Sequence, residues 1–220
     1  MQLGLIGLGK MGFNMRTRLR DGGHEVIGYD PRPEVSDVAS LEELAERLES
    51  PRVVWVMVPS GTVTESTISA LADVLDEGDL VIDGGNSRYT EDGPHAKLLA
   101  AKGVAFIDAG VSGGIWELTE GYGLMVGGSD ADVERALPIF ETLRPPGPRE
   151  DGFVHVGPVG AGHFAKMVHN GIEYALMTAY AEGYEMLAAE DLVKNPQAVY
   201  QAWTNGTVVR SWLGTPPGDS

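Results

Sequence analysis

Short apolar runs alternate with longer amphipathic stretches over the first 158 residues of the chain. Five runs are rich in Val and Ile, as expected for strands that are covered on both faces; they are Leu3–Ile6, Glu25–Tyr29, Val53–Val58, Leu80–Asp83 and Val104–Asp108. Two more strands are predicted near Tyr122–Val126 and Gly152–Val156. Helices are predicted at Met11–Gly22, Leu41–Leu48, Thr64–Leu75 and Thr90–Lys102. The alternation predicts an α/β fold with a doubly wound, mostly parallel sheet.

The pattern becomes purely helical after Pro158. Nothing breaks a helix strongly between Ala161 and about Ala189, and a second helix is predicted from Pro196 to about Leu213, with Asn195 as its N-cap. The tail at residues 214–220 is rich in Pro and Gly and is expected to be disordered.

We therefore expect a first domain at residues 1–158 and the start of an all-α domain at residues 159–220. Two helices cannot bury their apolar faces alone, because a helical domain of about 60 residues is marginal. The helical domain is thus expected to be incomplete or to dock on another subunit.

Charge and composition narrow the possible partners. The 220 residues include 16 basic and 32 acidic side chains, a net charge of −16, which repels nucleic acids and anionic membranes. With no cysteine, disulfides and thiol catalysis are excluded. No run approaches the ~18 apolar residues of a membrane span, and the basic residues follow the apolar start, unlike a signal peptide. We expect a cytoplasmic protein with neither nucleic-acid nor membrane partners.

A glycine-rich turn follows the first strand and opens a helix, as in dinucleotide-binding Rossmann domains; it comprises Gly7, Leu8, Gly9, Lys10, Met11 and Gly12. The first glycine permits the turn, the second lets the backbone approach a pyrophosphate, and the third lets the helix pack on the strand. The free N–H groups of a helix start attract such an anion. The alternative is a glycine-rich turn without a ligand.

An acidic residue, Asp30, ends the second strand. Its carboxylate would accept a hydrogen bond from the adenosine ribose 2′-hydroxyl and repel a 2′-phosphate, which favours NAD as the cofactor. Arg32 leaves NADP possible, since a guanidinium can meet a 2′-phosphate.

The turns after the third and fourth strands carry Val58, Pro59 and Asn86. Ligands bind beyond the carboxyl ends of such strands, so these residues are expected at the nicotinamide side of the cofactor. Alternatively, the glycines before Asn86 only shape a turn and Asn86 only caps the next helix.

Four polar residues of the long helix recur at helical spacing: Lys166, His169, Asn170 and Glu173. A purely structural helix would place apolar residues at such positions, so a functional face is indicated, the alternative being a solvated polar stripe. Gly171 lies in mid-helix at a cost of up to ~1 kcal/mol, which suggests that another group approaches the helix closely there.

With these motifs together, the sequence resembles the 6-phosphogluconate dehydrogenase family of the β-hydroxyacid dehydrogenase superfamily. The resemblance covers nearly all of residues 1–213 and is carried by residues 4–12, 83–87, 108–114, 121–128 and 166–174. The string from His169 to Tyr174 is typical of the phosphogluconate branch, whereas relatives of the hydroxyisobutyrate type have a Lys followed by an Asn pair and lack that Glu.

The resemblance implies a role for each matched residue. Lys166 would be the general base for oxidation of 6-phosphogluconate, and Glu173 the acid that protonates C1 of the five-carbon enediol left after CO2 departs. The substrate would be held by Asn86, Ser112, Gly113, Gly114, His169, Asn170 and Tyr174. No metal is implied, and the family resemblance suggests a homo-oligomer formed through the helical domain.

The sequence departs from the family pattern after Leu213, where family members continue into a longer helical domain. We therefore expect a chain that has lost part of its substrate site. Two other functions stay open: a β-hydroxyacid dehydrogenase of the 3-hydroxyisobutyrate type, and a nucleotide-binding chain without catalysis.

Overall fold

Seven strands form one sheet in a computed structural model that describes residues 1–113, 117–211 and 213. The strands are β1 Gln2–Ile6, β2 Glu25–Tyr29, β3 Val53–Val56, β4 Leu80–Asp83, β5 Ala105–Ser112, β6 Gly123–Gly127 and β7 Phe153–Gly157. Their order across the sheet is β2-β1-β3-β4-β5-β6-β7. All neighbours are parallel except β5 and β6, which pair antiparallel.

Eight helices lie in the described part of the chain. They are α1 Lys10–Asp21, α2 Leu41–Arg47, α3 Thr62–Val74, α4 Tyr89–Ala100, α5 Glu117–Glu120, α6 Asp130–Leu143, α7 Ala161–Ala189 and α8 Pro196–Trp203. Asn195 caps α8, as predicted, because its side-chain oxygen accepts the N–H of Ala198.

The sheet is covered on both faces, and β3 shows how. Val53 and Trp55 pack in one apolar cluster with residues of α1 and α6, whereas Val54 and Val56 pack in another with residues of α2, α3 and α4. Successive side chains of a strand point to opposite faces, so β3 contributes residues to the apolar clusters on both faces of the sheet. The Rossmann-type, mostly parallel, doubly wound fold followed by helices is thus confirmed.

Two predicted element boundaries differ clearly from the structure. β5 continues to Ser112 instead of ending at Asp108, because it pairs over that length with the antiparallel β6. The second C-terminal helix ends at Trp203 rather than near Leu213. Gly206 follows at φ +79°, a conformation outside the helix, and three β-branched residues come after it. The predicted disordered tail at 214–220 lies outside the described residues.

The chain divides into two compact units, Met1–Met167 and Val168–Ser220. In the second unit, the ring of Tyr200 packs against those of Tyr180, Tyr184 and Trp203 at centroid distances of 5.3 to 6.5 Å. The Tyr200 hydroxyl donates to the carbonyl of Tyr180. Within the described ranges, no helix combines the length and the apolar character needed to cross a membrane.

Replacing Gly84 with alanine tests the packing at the end of β4. A Cβ at this position would lie 2.3 Å from Nε1 of the buried Trp55 indole, so the rigid ring would have to move. We expect Gly84→Ala to lower the free energy of unfolding by about 1–3 kcal/mol, measured by urea denaturation. Gly93→Ala is the matched control: nothing lies within 4 Å of its added Cβ, and it should stabilise α4 by up to about 1 kcal/mol. Equal effects of the two variants would contradict the packing account.

Candidate functional site

The three glycines of the turn between β1 and α1 differ in how much space surrounds them. Gly7 has φ +89°, and a Cβ there would lie 2.3 Å from the carbonyl oxygen of Met57. A Cβ at Gly12 would lie 2.0 Å from the carbonyl oxygen of Gly7, so α1 packs directly on the turn. At Gly9, by contrast, a Cβ would meet no described atom within 4 Å. The turn is therefore tightly packed at its two ends and open at its middle.

The open side of the turn faces a cavity of about 510 Å³. Ten of the eleven predicted cofactor residues line it, namely Gly7, Gly9, Lys10, Met11, Gly12, Asp30, Arg32, Val58, Pro59 and Asn86. Gly9 is the N-cap of α1 and has no side chain to bond the first N–H groups of the helix. An anion in the cavity would therefore find unused donors at the start of α1.

The eleventh residue, Leu8, does not line the cavity. Its side chain is buried, and a Cβ at Gly28 of β2 would lie 2.9 Å from it. Leu8 acts through its main chain: the N–H donates to Asp30 Oδ2 at 2.8 Å, and the carbonyl accepts from Arg32 at 3.0 Å. The role of Leu8 is to hold the turn against the end of β2.

The Asp30 carboxylate is saturated with donors. Besides Leu8, it accepts the main-chain N–H of Arg32 at 3.0 Å, and the guanidinium of Arg32 at 2.8 and 3.1 Å. The side-chain bond from Arg32 outweighs the opposing effect of burial and lowers the pKa of Asp30 to about 2. The carboxylate is therefore ionised at any physiological pH.

Sequence reasoning missed part of the cavity wall. The additional lining residues are Ile6, Tyr29, Pro31, Leu41, Met57, Val63, Thr67 and Gly85. Val63 and Thr67 stand one turn apart on α3, and Val63 is 44% exposed. Because the sequence prediction started this helix at Thr64, it left Val63 in a loop. The signal available in the sequence is an apolar residue, Val63, directly after the short turn that follows β3.

The other predicted residues of the first unit follow β4 and β5. Asp83 and Asp108 are partners in the parallel pairing of these strands, so Asn86, which follows β4, and Ser112, the last residue of β5, lie toward the same edge of the sheet. A Cβ at Gly113 would lie 2.6 Å from the Cβ of Glu117. Gly114 lies outside the described residues.

Lys166 reaches the same edge from α7. A Cβ at Gly110 would lie 2.5 Å from the Lys166 Cβ, so the helix crosses β5 at the only kind of residue that permits this approach. Lys166 is half-buried. The residue that it approaches on β5, Gly110, lies two residues before Ser112. The first unit thus brings Asn86, Ser112 and Lys166 to one edge of the sheet.

The remaining predicted residues belong to the second unit. His169 Nδ1 lies 3.6 Å from Glu173 Oε2 and 3.4 Å from Asn170 Oδ1. Tyr174 is exposed. No described atom lies within 4 Å of a Cβ at Gly171, so the close approach expected there is absent from the described chain. The helix instead approaches its neighbours closely at Gly162 and Lys166.

Comparison with known protein families matches two models to the chain. One describes the NAD binding domain of 6-phosphogluconate dehydrogenase and matches residues 2–144. The other describes the C-terminal domain of 6-phosphogluconate dehydrogenase and matches residues 162–215.

Individual relatives carry the same family name as the two models. The chain is 41% identical to an NAD(+)-dependent, decarboxylating 6-phosphogluconate dehydrogenase of Haloferax volcanii, over 97% of this chain and 72% of that protein. It is 38% identical to the decarboxylating enzyme of Haemophilus influenzae, over 96% of this chain but only 47% of that protein. The chain therefore spans about half the length of some relatives.

Solved structures show the same architecture. The Plasmodium falciparum 6-phosphogluconate dehydrogenase, described with NADP+ and with 6-phosphogluconate, matches with a TM-score of 0.80 at 27% identity, over 94% of this chain and 48% of that one. A Mycobacterium tuberculosis 3-hydroxyisobutyrate dehydrogenase matches with a TM-score of 0.79 at 26% identity, over 96% of this chain and 72% of that one.

The ion pair between Asp30 and Arg32 generates a pH-dependent prediction. A carboxylate whose pKa is lowered from 3.8 to about 2 on folding stabilises the protein above pH 4, and this contribution is lost as the pH falls through 2. We expect Asp30→Asn to lower the free energy of unfolding by about 1–2 kcal/mol at pH 5 and 7 and by less at pH 3, measured by urea denaturation. Asp73→Asn, at an exposed carboxylate, serves as the control. The same loss at all three pH values would contradict the prediction.

Proposed function

Because this chain belongs to the 6-phosphogluconate dehydrogenase family, we propose that it acts in the oxidative decarboxylation of 6-phosphogluconate. The products would be ribulose 5-phosphate, CO2 and the reduced cofactor. The observation that supports this proposal is the close approach of Lys166 to Gly110, a residue of the strand that ends in Ser112 and that pairs with β4, the strand before Asn86.

The chain has an NAD-binding domain, and the cavity residues fit NAD as the cofactor, with NADP as the alternative. The open space at Gly9 and the unused N–H groups of α1 suit the pyrophosphate. Asp30 suits a ribose 2′-hydroxyl, although its four acceptor positions are already taken by Leu8 and Arg32. When bound, the nicotinamide supplies a hydride acceptor.

Lys166 would act in both halves of the reaction. As a neutral amine it takes the proton of the substrate 3-hydroxyl while the hydride leaves C3. The resulting 3-keto acid loses CO2, and the electron pair of the broken bond moves to the ketone oxygen. The Lys166 ammonium then stabilises that oxygen and returns the proton to it, giving an enediol.

Glu173 would complete the reaction by giving a proton to C1 of the enediol, which yields the ketose. The other polar residues would hold the substrate through hydrogen bonds to its carboxylate, hydroxyls and phosphate. We assign this role to Asn86, Ser112, Gly113, Gly114, His169, Asn170 and Tyr174.

A rate assay with 6-phosphogluconate tests the proposal, with NAD and NADP run side by side. We expect reduced cofactor and CO2 in equal amounts, and faster turnover with NAD because Asp30 disfavours a 2′-phosphate. The likeness to 3-hydroxyisobutyrate dehydrogenase supports a second candidate, which faster oxidation of 3-hydroxyisobutyrate without CO2 release would favour. Cofactor binding with no turnover of either acid would leave a nucleotide-binding chain.

The open space at Gly9 leads to a prediction about NAD affinity. Gly9→Ala adds a methyl group where the pyrophosphate must approach the turn, so we expect the dissociation constant for NAD, measured by calorimetry, to rise at least tenfold. The folded state should lose no more than about 1 kcal/mol, the cost of alanine at an N-cap. Gly93→Ala should leave the NAD affinity unchanged. An unchanged affinity in Gly9→Ala would place the pyrophosphate elsewhere.

Lys166→Ala separates catalysis from structure. Alanine keeps the Cβ that contacts Gly110 and removes the amine, so turnover should fall by about 10²–10⁴-fold, the range for loss of a general base. The dissociation constant for NAD should change less than threefold. Lys194→Ala, at an exposed lysine, should keep full turnover. A parallel loss of NAD affinity and turnover in Lys166→Ala would mean that this part of α7 is only structural.

A further inference from the structure

Three carboxylates and one imidazole are wholly buried beneath the first turn of α7. The carboxylates belong to Asp83 on β4, Asp92 on α4 and Asp108 on β5, and the imidazole belongs to His163 on α7. Burying several charges is expensive unless each is hydrogen-bonded. An apolar contact would hold a helix on a sheet at lower cost, so these groups call for an explanation beyond packing.

Asp108 bonds the start of α7 directly. Its Oδ1 accepts the N–H of Gly160 at 2.7 Å, and its Oδ2 accepts the N–H of His163 at 2.8 Å. Glycines make room for this carboxylate: a Cβ at Gly127 would lie 2.4 Å from Oδ1, and a Cβ at Gly162 would lie 2.9 Å from Oδ2. The carboxylate therefore caps the helix from the neighbouring strand.

His163 links the same turn to α4. Its Nδ1 lies 2.9 Å from both oxygens of Asp92. Burial raises the pKa of Asp92 to about 6. Burial lowers the pKa of His163, but the hydrogen bond to Asp92 and the charges of Asp92, Asp83 and Asp108 outweigh it and raise the pKa above the ordinary value. The imidazole is thus held as a donor to Asp92.

The bonds already made argue against a metal site in this cluster. Ligand atoms of Asp92, Asp108 and His163 lie within 4.8 Å of one another. However, each Asp108 oxygen already accepts one main-chain N–H group, and both Asp92 oxygens lie at hydrogen-bond distance from the imidazole Nδ1. We assign the cluster to hydrogen bonding.

Lys166 follows His163 by three residues, close to one helical turn, so it projects from nearly the same face of α7. Its Cβ lies against Gly110, two residues after Asp108 on the same strand. Directional bonds at Asp108 and Asp92 fix both the height of the helix above β5 and its rotation about its own axis. An apolar contact fixes neither as closely.

We propose that Asp108, Asp92 and His163 are positioning residues that orient the Lys166 amine, an inference that rests on the proposed role of Lys166 as the general base. The bonded pair of His163 and Asp92 sets the rotation of the first turn of α7. Without it, Lys166 keeps its contact with Gly110 but loses its fixed direction.

Two substitutions of matched polarity test the inference. The amide nitrogen of asparagine can occupy nearly the position of Nδ1, so His163→Asn should keep the hydrogen bond to Asp92. Glutamine places its amide nearer the position of Nε2, so His163→Gln should lose this bond. The readout is the rate of acetylation of Lys166 by acetic anhydride at pH 8, measured by mass spectrometry relative to the exposed Lys194. We expect a change of at least threefold in His163→Gln and less than 1.5-fold in His163→Asn.

His24→Asn is the matched control, because His24 is also buried but bonds Thr142 through Nε2, a position that the shorter asparagine amide does not reach. It should lower the melting temperature without changing the Lys166 labelling ratio. If His163→Gln also lowers the melting temperature while its labelling ratio equals that of the unmodified chain, the residue is merely structural and the inference is wrong. Where 6-phosphogluconate is turned over, His163→Gln should lower kcat at least tenfold and leave the KM for NAD within twofold.

The proposed reaction and the positioning role of His163 can be refuted independently of each other. Absence of turnover in the unmodified chain, together with the expected labelling change, would overturn the proposed reaction and keep the positioning role. Normal turnover with no labelling change in His163→Gln would overturn the positioning role and keep the proposed reaction.

Discussion

The carboxylate of Asp108 joins an interior strand of the sheet to the helix that carries Lys166. The main-chain N–H groups of Gly160, just before α7, and of His163, in its first turn, bond its oxygens. Glycines at 127 and 162 leave the space that the carboxylate fills. A buried, charged acceptor makes strong bonds because no water competes for them. The start of α7 is therefore fixed relative to β5, and the position of Lys166 over Gly110 depends on that anchor.

The nucleotide cavity and Lys166 share the carboxyl edge of the sheet. The cavity is built on the turns that follow β1, β2, β3 and β4, while Lys166 packs on β5. Asn86 connects the two, since it lines the cavity and follows β4, the direct neighbour of β5. A residue in this place can contact both a nucleotide and a second ligand, which is why the sequence motifs assigned it to both.

The parts of the molecule that sequence could predict are those coded locally. Val53 to Val56 are buried on both faces of the sheet, and such a run is visible in any window of the chain. The glycine turn, too, is contiguous. The antiparallel direction of β6 and the anchor of α7 were missed because they depend on partners far apart in sequence: His163 lies 71 residues from Asp92 and 55 from Asp108. No local pattern distinguishes these aspartates from surface ones.

The acceptor positions of Asp30 are all occupied by N–H groups of Leu8 and Arg32. A new hydrogen bond to this carboxylate would therefore replace an existing one. In the proposed site, a ribose hydroxyl would reach this carboxylate by displacing the guanidinium of Arg32 from at least one oxygen, and the cost of breaking that bond would reduce the binding free energy. Arg32 is 54% exposed, and dissolved salt screens an exposed ion pair. Rising ionic strength therefore weakens the ion pair between Arg32 and Asp30, so the bond that a ribose hydroxyl would have to displace at this carboxylate costs less to break in salt.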